Sequence, residues 1–412
     1  MALTDPTSQW LALSLVLDKL LEPIDIVRFG AVCKQWHTFA KTYFQTNPKR
    51  NHQKLLPLLI IPPQLESDDG NKTRRRIYSL SETKVYDNIH LSLPSYSRRC
   101  CGSCHGWLAT VDDERLAITL HNPFQTAADP IRLPPLDFLD YQFSVLPDDK
   151  ANGLYEYYVA KVVLSADPIL CPDDYVVAVL CGVYAKLAFI KKGQTSWTLV
   201  PAIDDDGDDL YMKDLVFHRG KLYTVGDNGL MMAVDYNDHS NNNKAVTEGR
   251  ILVPDRPFFF QSTRDYLVES TKGELFLLRR MIWYDLPLYD DEMPVTLETF
   301  QICRVVLDQE DNNIVQHIPV RSIGDEAFFI GDNQPVSVLA SNYPIEADCI
   351  YYTDDLTFKN FRPWGPNETK PPLRAEIGVF HLSEFTATPY KSLNIDWQLR
   401  NPPALWIVPS IN

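Results

Sequence analysis

The sequence predicts a mainly β protein, a six- or seven-bladed β-propeller preceded by a small all-α helical unit. Three observations carry this expectation. From residue 77 onward, short apolar, β-branched and aromatic runs recur between Gly, Pro, Asn and Asp, and few stretches keep a helical period. That β-rich part is about 330 residues long, too large for one sandwich and well matched to blades of about 40–50 residues. The N-terminal segment differs: Leu13, Leu17, Leu20 and Leu21 fall at i, i+4, i+7, i+8, which is one face of a helix.

Taken in order, Pro23 interrupts that first helical run, since proline is tolerated in a helix's first turn and not in its interior. A second apolar face follows with Ile24, Val27 and Ala31, then Val32, Trp36, Phe39 and Tyr43. Residues 10–45 therefore read as two or three short helices. Their core is too small to stand alone and needs a partner or the next domain. Residues 49–76 read as a linker around one short strand, Leu55–Ile61, followed by a solvated loop carrying Lys72 and Arg74–Arg76. The expected division is 8–48 for the helical unit, 49–76 for the linker and first strand, and 77–412 for the propeller.

Within the β region, strands are expected at Trp107–Val111, Leu116–Leu120, Tyr157–Leu164, Tyr175–Leu180, Lys186–Ile190, Leu215–His218, Lys221–Val225, Glu274–Leu278, Ala327–Ile330 and Cys349–Thr353, among others. A degenerate repeat supports hairpins: His105-Gly106-Trp107, Arg219-Gly220-Lys221-Leu222-Tyr223 and Lys272-Gly273-Glu274-Leu275-Phe276 each place Gly before a strand bearing an aromatic.

Composition narrows the function. The 412 residues carry a net charge of −15, which disfavours a general nucleic-acid binder because phosphate contacts need a basic face. The 8 Trp, 20 Tyr and 19 Phe disfavour uniform disorder. No apolar run approaches the ~20 residues of a membrane helix, and Met1–Trp10 lacks the basic start of a secretory signal. The 8 cysteines do not form a disulfide framework in so long a chain and read as reduced thiols of a cytoplasmic or nuclear protein.

Chemistry-bearing motifs are few. Cys101-x-x-Cys104-His105 has the letters of a c-type haem attachment site, but its flanks read as strand and no export segment precedes it. A zinc site would want a second such knuckle. The reading is a tight Cys-Gly-Ser turn feeding a strand whose Trp107 packs in the core. Asp204–Asp209 fails as a calcium loop: Asp209 stands where Gly is needed and Leu215 where a carboxylate is needed. No phosphate-binding, metalloprotease or nucleophile-elbow motif occurs, and the histidines show no metal-ligand spacing. No catalytic residue, metal or cofactor is therefore expected, and no acidic pair stands out for a glycosidase. Loops 201–211, acidic, and 284–297, mixing Tyr and Leu with Asp and Pro, are the candidate contact loops of the β region, and the net acidic charge would favour a basic partner surface over an acidic one.

The segment from Leu17 to Trp36, with Pro23-x-Asp25 and Val32-Cys33-Lys34-x-Trp36, resembles the F-box. Cys101-Gly102-Ser103-Cys104-His105-Gly106-Trp107-Leu108 resembles a signature of a large plant F-box family with a C-terminal KIB-type, kelch-like β-propeller. Further matches run from Leu120-His121-Asn122-Pro123-Phe124 to Cys349-Ile350-Tyr351-Tyr352-Thr353. The family's Leu-Pro element before the first F-box helix is missing, so this F-box is N-terminally shortened. The resemblance implies a non-enzymatic substrate receptor of an SCF-type E3 ubiquitin ligase. The F-box would dock on a Skp adaptor, and through it on a cullin, by Leu17, Leu20, Pro23, Ile24, Val32 and Trp36, while the propeller would hold an unidentified target. The alternative is an adaptor-independent propeller that binds and occludes a client such as a kinase.

Overall fold

A computed structural model describes residues 6–20, 22–47, 55–61, 75–86, 98–112, 115–124, 129–136, 154–182, 185–202, 210–226, 229–237, 246–247, 261–285, 295–308, 310, 314–353, 377–390 and 403–409. Three helices come first: α1 (Pro6–Leu17), α2 (Pro23–Ala31) and α3 (Lys34–Thr46). Pro23 opens α2, where its missing N–H costs nothing. Cys33 caps α3, its Sγ accepting from the Trp36 backbone N–H at 3.5 Å.

Among the described residues, the remainder forms six sheets, the blades of a six-bladed propeller. The first blade holds β1 (Leu58–Ile61), β2 (Arg76–Ser79) and β3 (Lys84–Tyr86); the second holds β4 (Gly102–Cys104), β5 (Trp107–Val111), β6 (Ile118–His121) and β7 (Ile131–Arg132). The third comprises β8 (Val159–Leu164), β9 (Val176–Cys181), β10 (Lys186–Lys191) and β11 (Thr198–Val200). The fourth comprises β12 (Met212–His218), β13 (Lys221–Gly226), β14 (Met231–Val234) and β15 (Val246–Thr247). The fifth has β16 (Gln261–Glu269), β17 (Leu275–Asp285), β18 (Val295–Leu307) and β19 (Ile314–Val320). The sixth has β20 (Glu326–Ile330), β21 (Val336–Leu339), β22 (Cys349–Tyr352), β23 (Gly378–His381) and β24 (Thr386–Pro389). The last strand, β25 (Leu405–Ile407), returns to the first blade and pairs antiparallel with β1, so the two ends of the domain close the ring. The sixth blade departs from simple up-and-down order: β20 pairs antiparallel with β21 but parallel with β22.

Both faces of most strands are buried, which is why the sequence shows continuous apolar runs such as Val176–Cys181 rather than strict alternation. Side chains still alternate between the two neighbouring interfaces. Val162 faces the core between blades two and three, with Trp107, Ile118 and Val179. Val163, one residue on, faces that between three and four, with Leu187, Leu215 and Leu222. The same split recurs at Leu215 and Val216, Tyr266 and Leu267, and Phe328 and Phe329. Leu59, Tyr78 and Trp406 seal the first blade against the sixth, and Ile60, Ile77 and Leu405 seal it against the second with Leu108.

The His105-Gly106 and Arg219-Gly220 repeats are two-residue hairpin turns. Both residues have positive φ, 51° and 80° in the first and 45° and 78° in the second, as a type I′ turn requires. Gly102–Cys104 is itself a strand, so the turn expected at Cys101–Ser103 lies instead at His105-Gly106. Gly102 is fixed by crowding: a Cβ would stand 2.3 Å from the Val162 carbonyl oxygen, beside the 2.9 Å bond from the Val162 N–H to the Cys101 carbonyl that ties the blades together. Arg75, expected in a solvated loop, is 2% exposed and donates to the Arg98 carbonyl and, at 3.5 Å, to the Cys100 sulfur. The arginine follows the chain into β2, which the basic run alone could not show.

Charged groups are buried along the inner strands. Lys161 of β8 pairs with Asp214 of β12, both nearly inaccessible. Lys213 of β12 pairs at 3.2 Å with Asp265 of β16, which Arg279 also reaches at 2.9 Å. Asp214 in turn accepts the Leu267 N–H at 2.8 Å, so one carboxylate joins blades three, four and five. Lys161 and Asp214 each adjoin a register shift in their strands, at Val159/Lys161 and Met212/Asp214. These bulges re-aim the side chain along the ring. Arg99, just before β4, donates to Asp332 at 2.8 Å and to the Glu156, Val159 and Ala160 carbonyls at 3.0, 2.9 and 3.2 Å. The Asp332–Gln334 loop of the sixth blade thus reaches the second blade and, through Arg99, the third, and the Gln334 N–H bonds the Ser103 carbonyl at 2.9 Å.

Two substitutions test this framework. Gly102→Ala is expected to destabilise by about 1–3 kcal/mol, because a strand backbone must yield rather than a flexible side chain. Asp214→Ala is expected to cost about 3–5 kcal/mol by leaving Lys161 buried without its partner. Denaturant unfolding followed by tryptophan fluorescence measures both, and an Asp214→Ala variant as stable as the parent contradicts the account.

Candidate interaction surface on the N-terminal helices

Helix α1 is apolar on two opposite sides. Leu13 and Leu17, one turn apart, face inward and join Ile26, Phe29, Ala40, Tyr43 and Phe44. Moving two residues along a helix turns the side chain by roughly 200°, so Leu11 and Leu15 point the other way. They are 64% and 57% exposed, and Trp10 and Val16 are also exposed beside them. Trp10 stacks on Phe39 of α3, ring centroids 4.9 Å apart. Val32, the C-cap of α2, adds a further apolar side chain that is 60% exposed.

The six residues expected to contact an adaptor are placed differently from one another. Leu17 is fully buried in the unit's own core, and Leu20 is partly buried against it. Trp36 is partly buried with its ring 4.5 Å from Phe29. Val32 stands out in solvent. Pro23 and Ile24 lie in α2, with their side chains outside the described residues. The sequence pattern thus captured the inward stripe of α1 and passed over the outward one. The i, i+4 spacing of Leu11 and Leu15 was the available signal. Of the proposed target loops, 203–209 and 286–294 lie outside the described residues.

The helical unit is anchored on the first blade. Leu55, just before β1, and Val408, just after β25, complete its apolar core. Arg28 of α2 reaches the β2–β3 hairpin, donating to Glu82 at 3.0 Å and to the Tyr86 hydroxyl at 2.7 Å, and it also holds Asp25 at 2.9 Å. Hydrogen bonds to Glu82 and Asp25 raise the Arg28 guanidinium's pKa, while a hydrogen bond from Tyr86 keeps Glu82 below the usual carboxylate range. Burial lifts Glu22, at the start of α2, above that range. The Ser81 hydroxyl opposes the rise, and the charges of Asp25 and Glu82 add to it.

A family model described as KIB1-4 beta-propeller matches residues 77–381. The chain belongs to the KIB1-4 beta-propeller family. Among relatives of this KIB1-4 propeller chain, an Arabidopsis thaliana protein with a provisional F-box name is 24% identical over 85% of this chain and 86% of its own length. A second, named an F-box protein, is 21% identical over 84% and 88%. Among solved structures, a periplasmic gluconolactonase of Pseudomonas aeruginosa aligns over 86% of this chain and 99% of its own with 9% identity and a TM-score of 0.35, too remote to carry an argument.

Because the Glu22 pKa is raised in the folded state, its ionised form opposes docking of the helices. That opposition grows as pH rises through the folded-state value and is absent below the unfolded one. Glu22→Gln is therefore expected to raise the melting temperature at about pH 8, with the gain shrinking toward about pH 4. A gain independent of pH counts against this assignment.

Proposed function

We propose that this chain is the substrate receptor of an SCF-type E3 ubiquitin ligase, with the helical unit docking on a Skp adaptor, and so on a cullin, and the propeller holding the target. The observation that carries it is the outward apolar stripe of Leu11, Leu15 and Val16 with Val32, on a unit whose own core is already complete behind it. Exposed apolar side chains grouped on one small element mark a protein contact. The Pro23-x-Asp25 and Val32-Cys33-Lys34-x-Trp36 match and the F-box names of the relatives support the same partner.

In this reading Leu17 shapes the unit from inside, Leu20 and Trp36 border the contact, Val32 touches the adaptor, and Pro23 and Ile24 belong to the same contact. The protein acts by binding rather than catalysis, in the cytoplasm or nucleus. Its target is unassigned.

Pull-down of the intact chain by a purified Skp adaptor tests the proposal. Micromolar or tighter binding is expected, and Leu11→Asp with Val32→Asp should weaken it by at least about tenfold, the scale of an interface hot spot. Both side chains are exposed, so the double variant should melt with the parent. No binding by the intact chain overturns the proposal and leaves the adaptor-independent, client-occluding propeller as the alternative.

A further inference from the structure

The sixth blade brings together three side chains of different chemistry that the linear sequence keeps apart. Cys349 of β22 and His381 of β23 are directly opposite in register, so their side chains share one face. Glu346 lies three residues before Cys349, and its backbone N–H is held by the Tyr351 hydroxyl at 3.1 Å. The Glu346 carboxylate, the Cys349 sulfur and a His381 ring nitrogen all lie within 4.8 Å of one another.

We propose that Glu346, Cys349 and His381 form a zinc site at the outer part of the sixth blade, with the fourth position taken by water on the side where Glu346 is exposed. The distances fit the ion. Tetrahedral zinc with bonds of about 2.0 Å to nitrogen and oxygen and about 2.3 Å to sulfur sets its ligands about 3.3 Å (N to O) and about 3.5 Å (N to S) apart. Here His381 Nδ1 is 3.2 Å from Glu346 Oε2 and 3.4 Å from Cys349 Sγ. One ring nitrogen has either a single hydrogen or a single lone pair, and Nδ1 faces both an oxygen and a sulfur. The Cys349 thiol otherwise donates to the Ala347 carbonyl at 3.2 Å, and a cation between the three groups would take the thiolate from that carbonyl and engage Nδ1 and the Glu346 carboxylate as well.

The surroundings favour positive charge. The carboxylates of Glu346, Asp348 and Glu384 act electrostatically on the Cys349 sulfur, and no Lys or Arg side chain opposes them among the described residues. Zinc offsets that field: on binding, the S–H proton leaves to solvent, the thiolate bonds the metal, and no electron transfer is involved. A thiolate with an imidazole and a carboxylate selects zinc over magnesium or calcium, which prefer all-oxygen sets. Bound there, the ion ties β22 to β23.

Titration of the metal-free full chain with Co²⁺, followed by its visible absorption, tests the site. The expected result is one equivalent of tetrahedral Co²⁺ with a thiolate charge-transfer band, displaced by Zn²⁺. Cys349→Ser should abolish the charge-transfer band. His381→Ala and Glu346→Gln should each weaken Co²⁺ binding by at least about tenfold. Glu346→Gln alters an exposed side chain and leaves the buried core intact, so it reads the site even where Cys349→Ser fails to fold. A parent chain with no cobalt bands overturns the proposal, and so do bands that persist unchanged in the His381→Ala and Glu346→Gln variants.

Discussion

The pairing of β25 with β1 is the constraint on which the rest depends. It joins residues from the two ends of the domain in one sheet, with Leu58 opposite Ile407 and Ile60 opposite Leu405. Every other blade is built from neighbouring sequence, so the ring is held shut by this non-local contact. The helical unit uses the same seam. Leu55 enters its core from just before β1, and Val408 from just after β25. The surface proposed to meet the adaptor is therefore seated where the propeller closes, and fraying of the closing strand would remove apolar support from the helices.

Apolar faces drive blades together, but they do not fix how blades are aligned along the axis. Hydrophobic burial is non-directional. The buried pairs Lys161–Asp214 and Lys213–Asp265 run from one inner strand to the next and supply direction. Desolvating such charges is expensive, and burial raises the Asp214 carboxyl despite Lys161 beside it. Asp214 offsets part of that cost by accepting the Leu267 N–H as well. Arg99 plays the related part across the ring, taking three carbonyls and Asp332 together.

Conspicuous sequence clusters and actual side-chain chemistry lie in different places in this molecule. Cys100, Cys101 and Cys104 form the most eye-catching run, and the structure buries all three. Burial raises their thiols, that of Cys104 up to about 12. By contrast, Cys349 and His381 attract no notice in the linear sequence, and strand pairing sets them opposite one another.

The sequence by itself determined the architecture. Turn-delimited apolar runs gave strands, chain length limited the blade number to six or seven, the Gly-aromatic repeats gave hairpins, and helical spacing gave the N-terminal unit. These are local properties, set by backbone sterics and by the periods of helix and strand. Only the tertiary structure decided the blade count of six, the return of β25 to β1, the parallel pairing of β20 with β22, and which face of α1 is left outside. Leu11 and Leu13 are equally apolar, and nothing local tells which one will meet Ile26 and Phe29. The same holds for Arg75 and for the Glu346, Cys349 and His381 group. Their environments are made by residues distant in sequence, and burial, charge pairing and ligand geometry exist only once the ring has closed.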